Sequence, residues 1–377
     1  MCADRNVNSK FRRELDRRIE RHRAFHDRNE PGDLLVLPNP WSKVNLARHL
    51  AQRLCEVPIG DFIKQESINA FTVDFLAEFH GDLEDFYSIP GDAVPTAPVF
   101  PHIGAITAAM TGLTPQCENG TVALDAKLSW DQIDSLIFDA DNPWVQLAVR
   151  VNQALWRRWD GDFFIMPYFH RTPLDAAQGI RGAAMFTDMY DSPDRVHALL
   201  DWCTEWAIQM EAFLANHVDS SDERGCGIWN CWLPKGAVVV NGDAVGMISR
   251  QMHPVFEEPY TRRFFAATAG GLFHNHSIGM HQVDLIAGTA GVILQEIMPD
   301  PNRPDPIKGM ISDSAVSERV VAASLLSPIR LDGVHSGDLE ALLPIVKRGR
   351  FILCVPTQDP DEAQTIVDLV RAESNLK

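Results

Sequence analysis

Apolar residues recur at helical spacing near the start of the chain, among many arginines and glutamates. These apolar positions are Val7, Phe11, Leu15 and Ile19. Their period predicts an amphipathic helix over residues 7–28. A second helix is predicted over residues 41–55, and the prolines and glycine of residues 31–40 predict a linker between the two helices. We interpret residues 1–66 as an N-terminal helical arm, which packs on the main domain or forms a contact in a homodimer.

From about residue 67 the pattern changes to short apolar runs that alternate with helical stretches. The apolar runs are residues 68–73, 97–103, 162–167, 237–241, 270–276, 291–297, 328–333 and 350–355. Helical patterns follow most of them, at residues 192–216, 254–268, 281–288, 336–347 and 360–373. This alternation favours a (β/α)8 TIM barrel with an N-terminal helical extension over a doubly wound sheet.

The barrel is predicted to span residues 67–377 and to contain one irregular region around residues 104–160. That region carries several tryptophans on mostly helical stretches, and we interpret it as a lid-like insertion near the barrel mouth. The last part of the sequence predicts one strand followed by one helix. A buried strand is predicted over residues 350–356, and the next helix begins with a capping Asp359 followed by Pro360 at the first helical position.

Composition and charge narrow the class of protein. The 377 residues are 45% hydrophobic and 23% charged, which is ordinary for a globular chain. A formal net charge of −17 argues against nucleic acid and anionic membranes as partners, because both require basic patches. The seven cysteines form no dense framework, residues 1–30 carry no signal-peptide pattern, and no apolar run approaches about 18 residues. These features predict a cytoplasmic protein that acts on a small molecule.

Two histidines near the end of one predicted strand carry the main chemical signal. His274 and His276 are two residues apart, so their side chains should project from the same face of the strand. Cys354 is expected near the end of another strand, at the same edge of a parallel barrel. Two nitrogens and one sulfur form a zinc ligand set that leaves a fourth position open, which is the catalytic pattern. His281 and Glu296 are reserve ligands.

Other polar groups are expected near the predicted mouth. Asp243 and Glu296 follow or end strands, and we predict catalytic roles for both, with loop capping as the alternative for Asp243. His170 and Arg171 follow the strand of residues 162–167, where the arginine could bind a carboxylate or phosphate bidentately. Trp229 lies in an aromatic stretch between two cysteines, which we interpret as a lid whose rings stack on a flat cofactor or seal the mouth.

Four stretches resemble the uroporphyrinogen decarboxylase superfamily when taken in order. They are residues 182–200 with the sequence Asp188-Met-Tyr-Asp-Ser-Pro193, residues 241–260, residues 272–279 with Phe-His-Asn-His, and the closing strand and helix at residues 350–373. The resemblance covers roughly residues 160–375. It implies a single (β/α)8 barrel with its site at the C-terminal mouth of the strands. The N-terminal arginine loop with which the decarboxylase grips porphyrinogen carboxylates has no counterpart in this sequence.

The resemblance therefore points to the methylcobalamin:coenzyme M methyltransferase branch. That branch holds zinc with a His-x-Cys pair and a later cysteine, which match His274, His276 and Cys354, with His276 in place of the first cysteine. It implies a zinc-dependent methyltransferase that moves a methyl group between a corrinoid, delivered by a partner protein, and a thiol or related acceptor. A decarboxylase or lyase acting on a small carboxylated substrate, and a non-catalytic ligand-binding barrel, remain as alternatives.

Overall fold

A computed structural model describes residues 11–38, 46–97, 103–118, 121–220 and 222–376. The strands are β1 (Leu34–Pro38), β2 (Thr96–Ala97), β3 (Gln116–Glu118), β4 (Thr121–Ala123), β5 (Phe164–Ile165), β6 (Phe169–Arg171), β7 (Cys226–Ile228), β8 (Cys231–Leu233), β9 (Val238–Asn241), β10 (Gly271–His276), β11 (Val292–Met298), β12 (Ile329–Leu331) and β13 (Phe351–Val355).

The α-helices are α1 (Arg12–Arg28), α2 (Leu46–Glu56), α3 (Ile59–Phe62), α4 (Gln65–Ser88), α5 (Ile103–Thr111), α6 (Trp130–Ile133), α7 (Pro143–Arg158), α8 (Pro173–Arg181), α9 (Ala184–Asp191), α10 (Pro193–His217), α11 (His253–Phe256), α12 (Glu258–Ala266), α13 (Val283–Gly288), α14 (Pro306–Ser312), α15 (Ser314–Leu326), α16 (Leu339–Val346) and α17 (Pro360–Glu373). Short 3-10 helices span Asp243–Met247, Ser277–Gln282 and Ser336–Asp338. No helix in the described ranges combines the length and apolar character needed to span a bilayer.

The centre of the fold, within the described ranges, is a seven-stranded parallel sheet in the order β1-β13-β12-β11-β10-β9-β6. Strands β2 and β5 form a separate parallel pair, and only residues 166–168 separate β5 from β6 along the chain. This is an α/β fold consistent with a TIM-barrel-like architecture, although the strand pairs of the described residues do not close into a ring. Since the strands are parallel, their carboxyl ends lie at one edge.

Alternate residues of the strands belong to two different apolar clusters. On β1, Leu34 and Val36 pack among residues of the surrounding helices, whereas Leu35 and Leu37 face the other way. Both faces of the sheet are therefore buried, as in other parallel sheets. We call the second group the inner cluster. Its members from the sheet are Leu35, Leu37, Val239, Leu272, Leu294, Ile352 and Cys354.

A β-hairpin made of β7 and β8 fills the space beside the inner cluster. Its two central residues, Trp229 and Asn230, have φ angles of 45° and 61°, as a two-residue type I′ turn requires. The backbone carbonyl of Asn230 accepts a hydrogen bond from Val94 N (2.9 Å), just before β2. At Gly227 a Cβ atom would lie 2.6 Å from Thr96 Oγ1, so only glycine permits this approach. The stretch interpreted as a lid is thus a hairpin packed beside the beginning of β2.

Most strand predictions from residue 162 onward are confirmed, but two segments near the N-terminus differ. Residues 68–73 lie inside α4 instead of forming a strand, because their apolar side chains continue the helical period of residues 65–88. The predicted linker contains β1, whose five residues are all buried and pair with β13. The predicted strand at 97–103 falls mostly on residues 98–102, which lie outside the described residues, as do the first five positions of the helix predicted at 41–55.

The irregular region around residues 104–160 contains α5, the antiparallel pair of β3 and β4, α6 and α7. Helix α7 packs against α4 and α5, and its apolar face belongs to the largest apolar cluster of the described residues. This packing accounts for the several tryptophans, among which Trp144 is buried. The lid-like role of the region stays a prediction.

The predicted start of the last helix is confirmed, since the Asp359 side chain accepts hydrogen bonds from the N–H groups of Asp361 and Glu362. We expect Asp359→Ala to lower the free energy of unfolding by about 1 kcal/mol, because two N–H groups at the start of the helix lose their acceptor. Urea denaturation measures this change. Asp359→Ser, which keeps a capping oxygen, is the control. Equal stability of the alanine variant and the wild type would contradict the prediction.

Candidate metal centre

Three potential ligand atoms converge at the carboxyl ends of β9 and β10. Asp243, His274 and His276 each offer one donor atom, and these atoms lie within 4.8 Å of one another. The two histidine Nε2 atoms are 2.8 Å apart, and His276 Nε2 is 3.3 Å from Asp243 Oδ1. His274 is buried, whereas Asp243 and His276 are half-buried. The group is therefore enclosed by the protein at His274 and partly exposed at Asp243 and His276.

The strand pattern explains this convergence. Residues 274 and 276 of β10 share one face, while Asn275 between them is almost fully buried on the opposite face. His274 lies in register with Asn241, the last residue of the neighbouring strand β9. Asp243 follows two residues later at the start of a 3-10 helix, which brings its carboxylate beside the two imidazoles.

Each histidine has a carboxylate beside its other ring nitrogen. His274 Nδ1 donates a hydrogen bond to Glu296 Oε2, and His276 Nδ1 lies 2.8 Å from Asp300 Oδ1. Asp300 is itself fixed, because its other oxygen accepts hydrogen bonds from Ser277 Oγ (2.8 Å) and Ile278 N (2.9 Å). This carboxylate–histidine arrangement is the usual support for metal-binding histidines.

The arrangement suits a positive charge at its centre. With the protons on the Nδ1 atoms, which face Glu296 and Asp300, both Nε2 atoms present lone pairs to each other. Asp243 Oδ1 is buried and has no hydrogen-bond donor within the described ranges. Three acceptor atoms directed at one point repel each other unless a cation lies between them. The residues present therefore fit a divalent metal ion, and two imidazoles with one carboxylate are compatible with zinc.

A buried charge network lies behind His274. Arg330 donates hydrogen bonds to both oxygens of Asp332 (2.8 and 2.9 Å), and its Nε atom is 3.4 Å from Glu296 Oε1. Burial opposes ionisation of Glu296, but Arg330 and His274 outweigh burial and lower the pKa of Glu296 to about 2. Burial, together with Glu296, raises the pKa of Asp332. Burial disfavours the charged form of His274, yet the Glu296 carboxylate outweighs it and raises the pKa of His274.

The structure does not bring Cys354, the predicted third ligand, into this group. Strands β11 and β12 separate β13 from β10, whereas β9 is the direct neighbour of β10. The Cys354 side chain is 1% exposed and belongs to the inner cluster, and burial raises the pKa of its thiol well above the ordinary value. A thiol that resists ionisation is a poor ligand. The group that could hold a metal ion contains Asp243 beside the two histidines, where the sequence suggested Cys354.

His281 and Glu296, the reserve ligands predicted from the sequence, contact groups outside the three converging donor atoms. The ring nitrogens of His281 lie 3.2 Å from the carbonyl oxygen of Ile278 and 3.0 Å from that of Ile248. Glu296 is fully buried and contacts His274 Nδ1 and Arg330. It therefore supports a ligand from behind and does not face the open side of the centre.

Trp229 reaches the candidate metal centre from the hairpin. Its ring centroid is 5.0 Å from that of His274, in an edge-to-face arrangement, and 5.5 Å from that of Phe169. Its backbone carbonyl accepts a hydrogen bond from Arg330. Trp229 as a whole is half-buried.

His170 and Arg171, predicted to bind a cofactor, are bound by other side chains of the protein. His170 is 1% exposed, and its Nε2 atom is 2.6 Å from Glu211 Oε1 on α10. Arg171 donates hydrogen bonds to Asp175 (2.7 Å) and to Thr107 (2.8 Å). These contacts hold both side chains in place, and neither residue is one of the three converging ligands.

Sequence reasoning missed Asp300 and Arg330. Arg330 lies in the middle of β12 between two buried apolar residues, in register with Glu296 of β11. A lone charge inside an apolar strand was an available signal for a buried ion pair. Asp300 follows the end of β11 after a proline, at the edge where the other carboxyl ends meet, and this position alone could have marked it.

Comparisons with known proteins show the fold and leave the family open. No protein-family model and no curated protein sequence matches the chain. Among solved structures, the chain is similar to a methyltransferase from Methanosarcina mazei, with a TM-score of 0.58 and 12% sequence identity. The alignment covers 95% of this chain and 98% of that chain, so the likeness extends over nearly the whole fold.

Proposed function

We propose that this chain is a zinc-dependent methyltransferase built on a (β/α)8 barrel of the uroporphyrinogen decarboxylase type. It would move a methyl group between a corrinoid and a thiol or related acceptor. The observation that carries the proposal is the convergence of Asp243, His274 and His276 at the carboxyl ends of adjacent parallel strands. The likeness in fold to a methyltransferase supports the reaction class.

The ligand set suits catalysis better than a structural role. Three protein ligands leave at least one position of a tetrahedral zinc ion for another molecule, whereas structural zinc sites are closed by four. When bound, zinc would coordinate the acceptor thiol and lower its pKa, so that a thiolate is available at neutral pH. The set contains no sulfur, which leaves less negative charge on that thiolate than sulfur ligands would, and for this reason we include related acceptors.

The surrounding residues hold this geometry. Glu296, ionised because of Arg330 and His274, keeps a negative charge behind one imidazole, and Asp300 does the same for the other. Both carboxylates fix the ring orientation and make the imidazoles stronger donors. The half-buried ring of Trp229 would form part of the floor on which the acceptor or the corrinoid rests. A corrinoid-carrying protein would approach from the open side, where Asp243 and His276 are accessible.

Methyl transfer with and without metal tests the proposal. We expect the zinc-loaded protein to accelerate the loss of methyl groups from methylcobalamin in the presence of a thiol, followed by the visible spectrum of the corrinoid. Removal of zinc by a chelator should return the rate to that of the protein-free reaction, and added zinc should restore it. If zinc-loaded protein gives the protein-free rate with small and large thiols alike, methyl transfer to thiols is excluded, and release of CO2 from small carboxylates becomes the next assay.

A further inference from the structure

Asp175, at the beginning of α8, uses both oxygens of a buried carboxylate to hold the segment that carries Asp243. The residue is 2% exposed. Its Oδ1 atom accepts a hydrogen bond from Ala244 N (3.0 Å), and its Oδ2 atom accepts one from Asn241 Nδ2 (3.0 Å). Asn241 and Ala244 flank residues 242 and 243. The carboxylate therefore bridges the short segment from the end of β9 to the first turn of the 3-10 helix.

Further backbone contacts fix the same segment. The N–H group of Thr172 donates to the carbonyl of Asn241 (2.8 Å), and the N–H group of Gly242 donates to the carbonyl of His274 (3.0 Å). Asp243 Oδ1 has no donor of its own in the described part of the chain. Its direction is therefore set by the backbone on either side, and the Asp175 carboxylate is the side chain that ties both sides together.

Arg171 supplies the positive charge that allows the Asp175 carboxylate to be buried. Its Nε atom donates to Asp175 Oδ2 at 2.7 Å, and the remaining guanidinium nitrogens donate to Thr107 and Gln178. A buried carboxylate needs such a counter-charge, since an unpaired one costs several kcal/mol. Arg171 thus stabilises the charged form of the carboxylate whose two oxygens accept hydrogen bonds from Ala244 and Asn241.

We propose that Asp175 is a positioning residue for the candidate metal ligand Asp243. This inference rests on the proposed metal centre. It gives Arg171 a role behind the site, as the counter-charge of Asp175, in place of contact with a cofactor or substrate. It also links the first turn of α8 to the geometry of a site on strands β9 and β10, which are distant from it in sequence.

The Asp175→Asn variant tests the proposal, because it keeps the shape of the side chain. Either orientation of the new amide places an NH2 group against donors, on the Ala244 side or on the Arg171 and Asn241 side, so the bridge breaks. We expect the variant to bind zinc about 10- to 100-fold more weakly than the wild type, as for other residues that orient metal ligands. Competition with a chromophoric chelator measures the affinity.

Asp188→Asn is the matched control. Asp188, on α9, pairs with Arg181 at the end of α8 (2.7 Å), and this ion pair includes none of residues 241–244. This variant should bind zinc like the wild type. If Asp175→Asn lowers the melting temperature of the metal-free protein but leaves zinc affinity at the wild-type value, Asp175 is purely structural and the proposal is overturned.

A second variant covers the case in which Asp175→Asn does not fold. Asn241→Ala removes one arm of the bridge and leaves the Ala244 bond in place, and we expect a loss of zinc affinity of about 10-fold or less. Unchanged affinity in this variant would count against the proposal. Failure of the wild-type protein to bind zinc at all is a different result, because it overturns the proposed metal centre and not the role of Asp175 alone.

Discussion

Replacing Asp243 with alanine should weaken zinc binding by about 100-fold or more, whereas replacing Cys354 with alanine should leave zinc binding unchanged. Asp243 Oδ1 lies 3.3 Å from His276 Nε2 and has no hydrogen-bond donor in the described residues, so its loss removes one of three ligands. The Cys354 thiol is buried in the inner cluster, and its pKa is raised by burial. Zinc content and chelator competition on both purified variants measure the difference.

The Asp243→Ala and Cys354→Ala variants distinguish two possible ligand sets. Both sets contain His274 and His276, and they differ in the third ligand. Loss of zinc in Cys354→Ala, with retention in Asp243→Ala, would restore the set suggested by the sequence resemblance. The His281→Ala variant is a useful control, because His281 is close along the chain but lies against backbone carbonyls outside the group. It should retain the zinc content of the wild type.

Replacing Arg330 with methionine should lower the free energy of unfolding by about 3–5 kcal/mol. Arg330 is fully buried and is the shared counter-charge of Glu296 and Asp332. Methionine approximates the length of the side chain but leaves Asp332 without its counter-charge and Glu296 with His274 alone, and the carbonyl of Trp229 loses a donor. Chemical denaturation monitored by circular dichroism measures the loss.

Arg348→Met is the control for this effect. Arg348 pairs with Glu318 at 2.6 Å, but both side chains are exposed, and exposed pairs contribute only about 0–1 kcal/mol. Comparing the two variants separates the effect of burial on the free energy of unfolding from the effect of having an ion pair at all. A loss in Arg330→Met no greater than in Arg348→Met would mean that the buried carboxylates take up protons at little cost.

The sequence correctly predicted the features that depend only on neighbouring residues, namely strand positions, the alternation of side chains along a strand and helix capping. The strands β9 to β13 are short apolar runs of the kind that parallel sheets bury on both faces, and each was predicted within a few residues. The two-residue period of a strand placed His274 and His276 on one face. The capping of α17 followed from Asp359 and Pro360 alone.

The third member of the candidate metal centre could not be obtained from the same rules, because it depends on strand order and register. Asp243 and Cys354 both follow or end predicted strands, and nothing local distinguishes a neighbour of β10 from a strand three positions away. The predicted position of Cys354 at the end of a strand and the family resemblance favoured Cys354. Burial in the sheet decided against it, since a thiolate surrounded by apolar side chains is costly. The sequence prediction also missed strand β1. Five residues beside prolines are too few to show a clear period.

The turn at Trp229 has an energetic consequence for the site. A left-handed backbone at a bulky aromatic residue costs about 1–3 kcal/mol, which a glycine there would avoid. The edge-to-face contacts of the indole with Phe169 and His274, and the Arg330 hydrogen bond to its carbonyl, are the interactions that offset this cost. We therefore expect folding of the hairpin tip and placement of His274 to be thermodynamically linked, so that a ligand that fixes the imidazole also stabilises a turn far earlier in the chain.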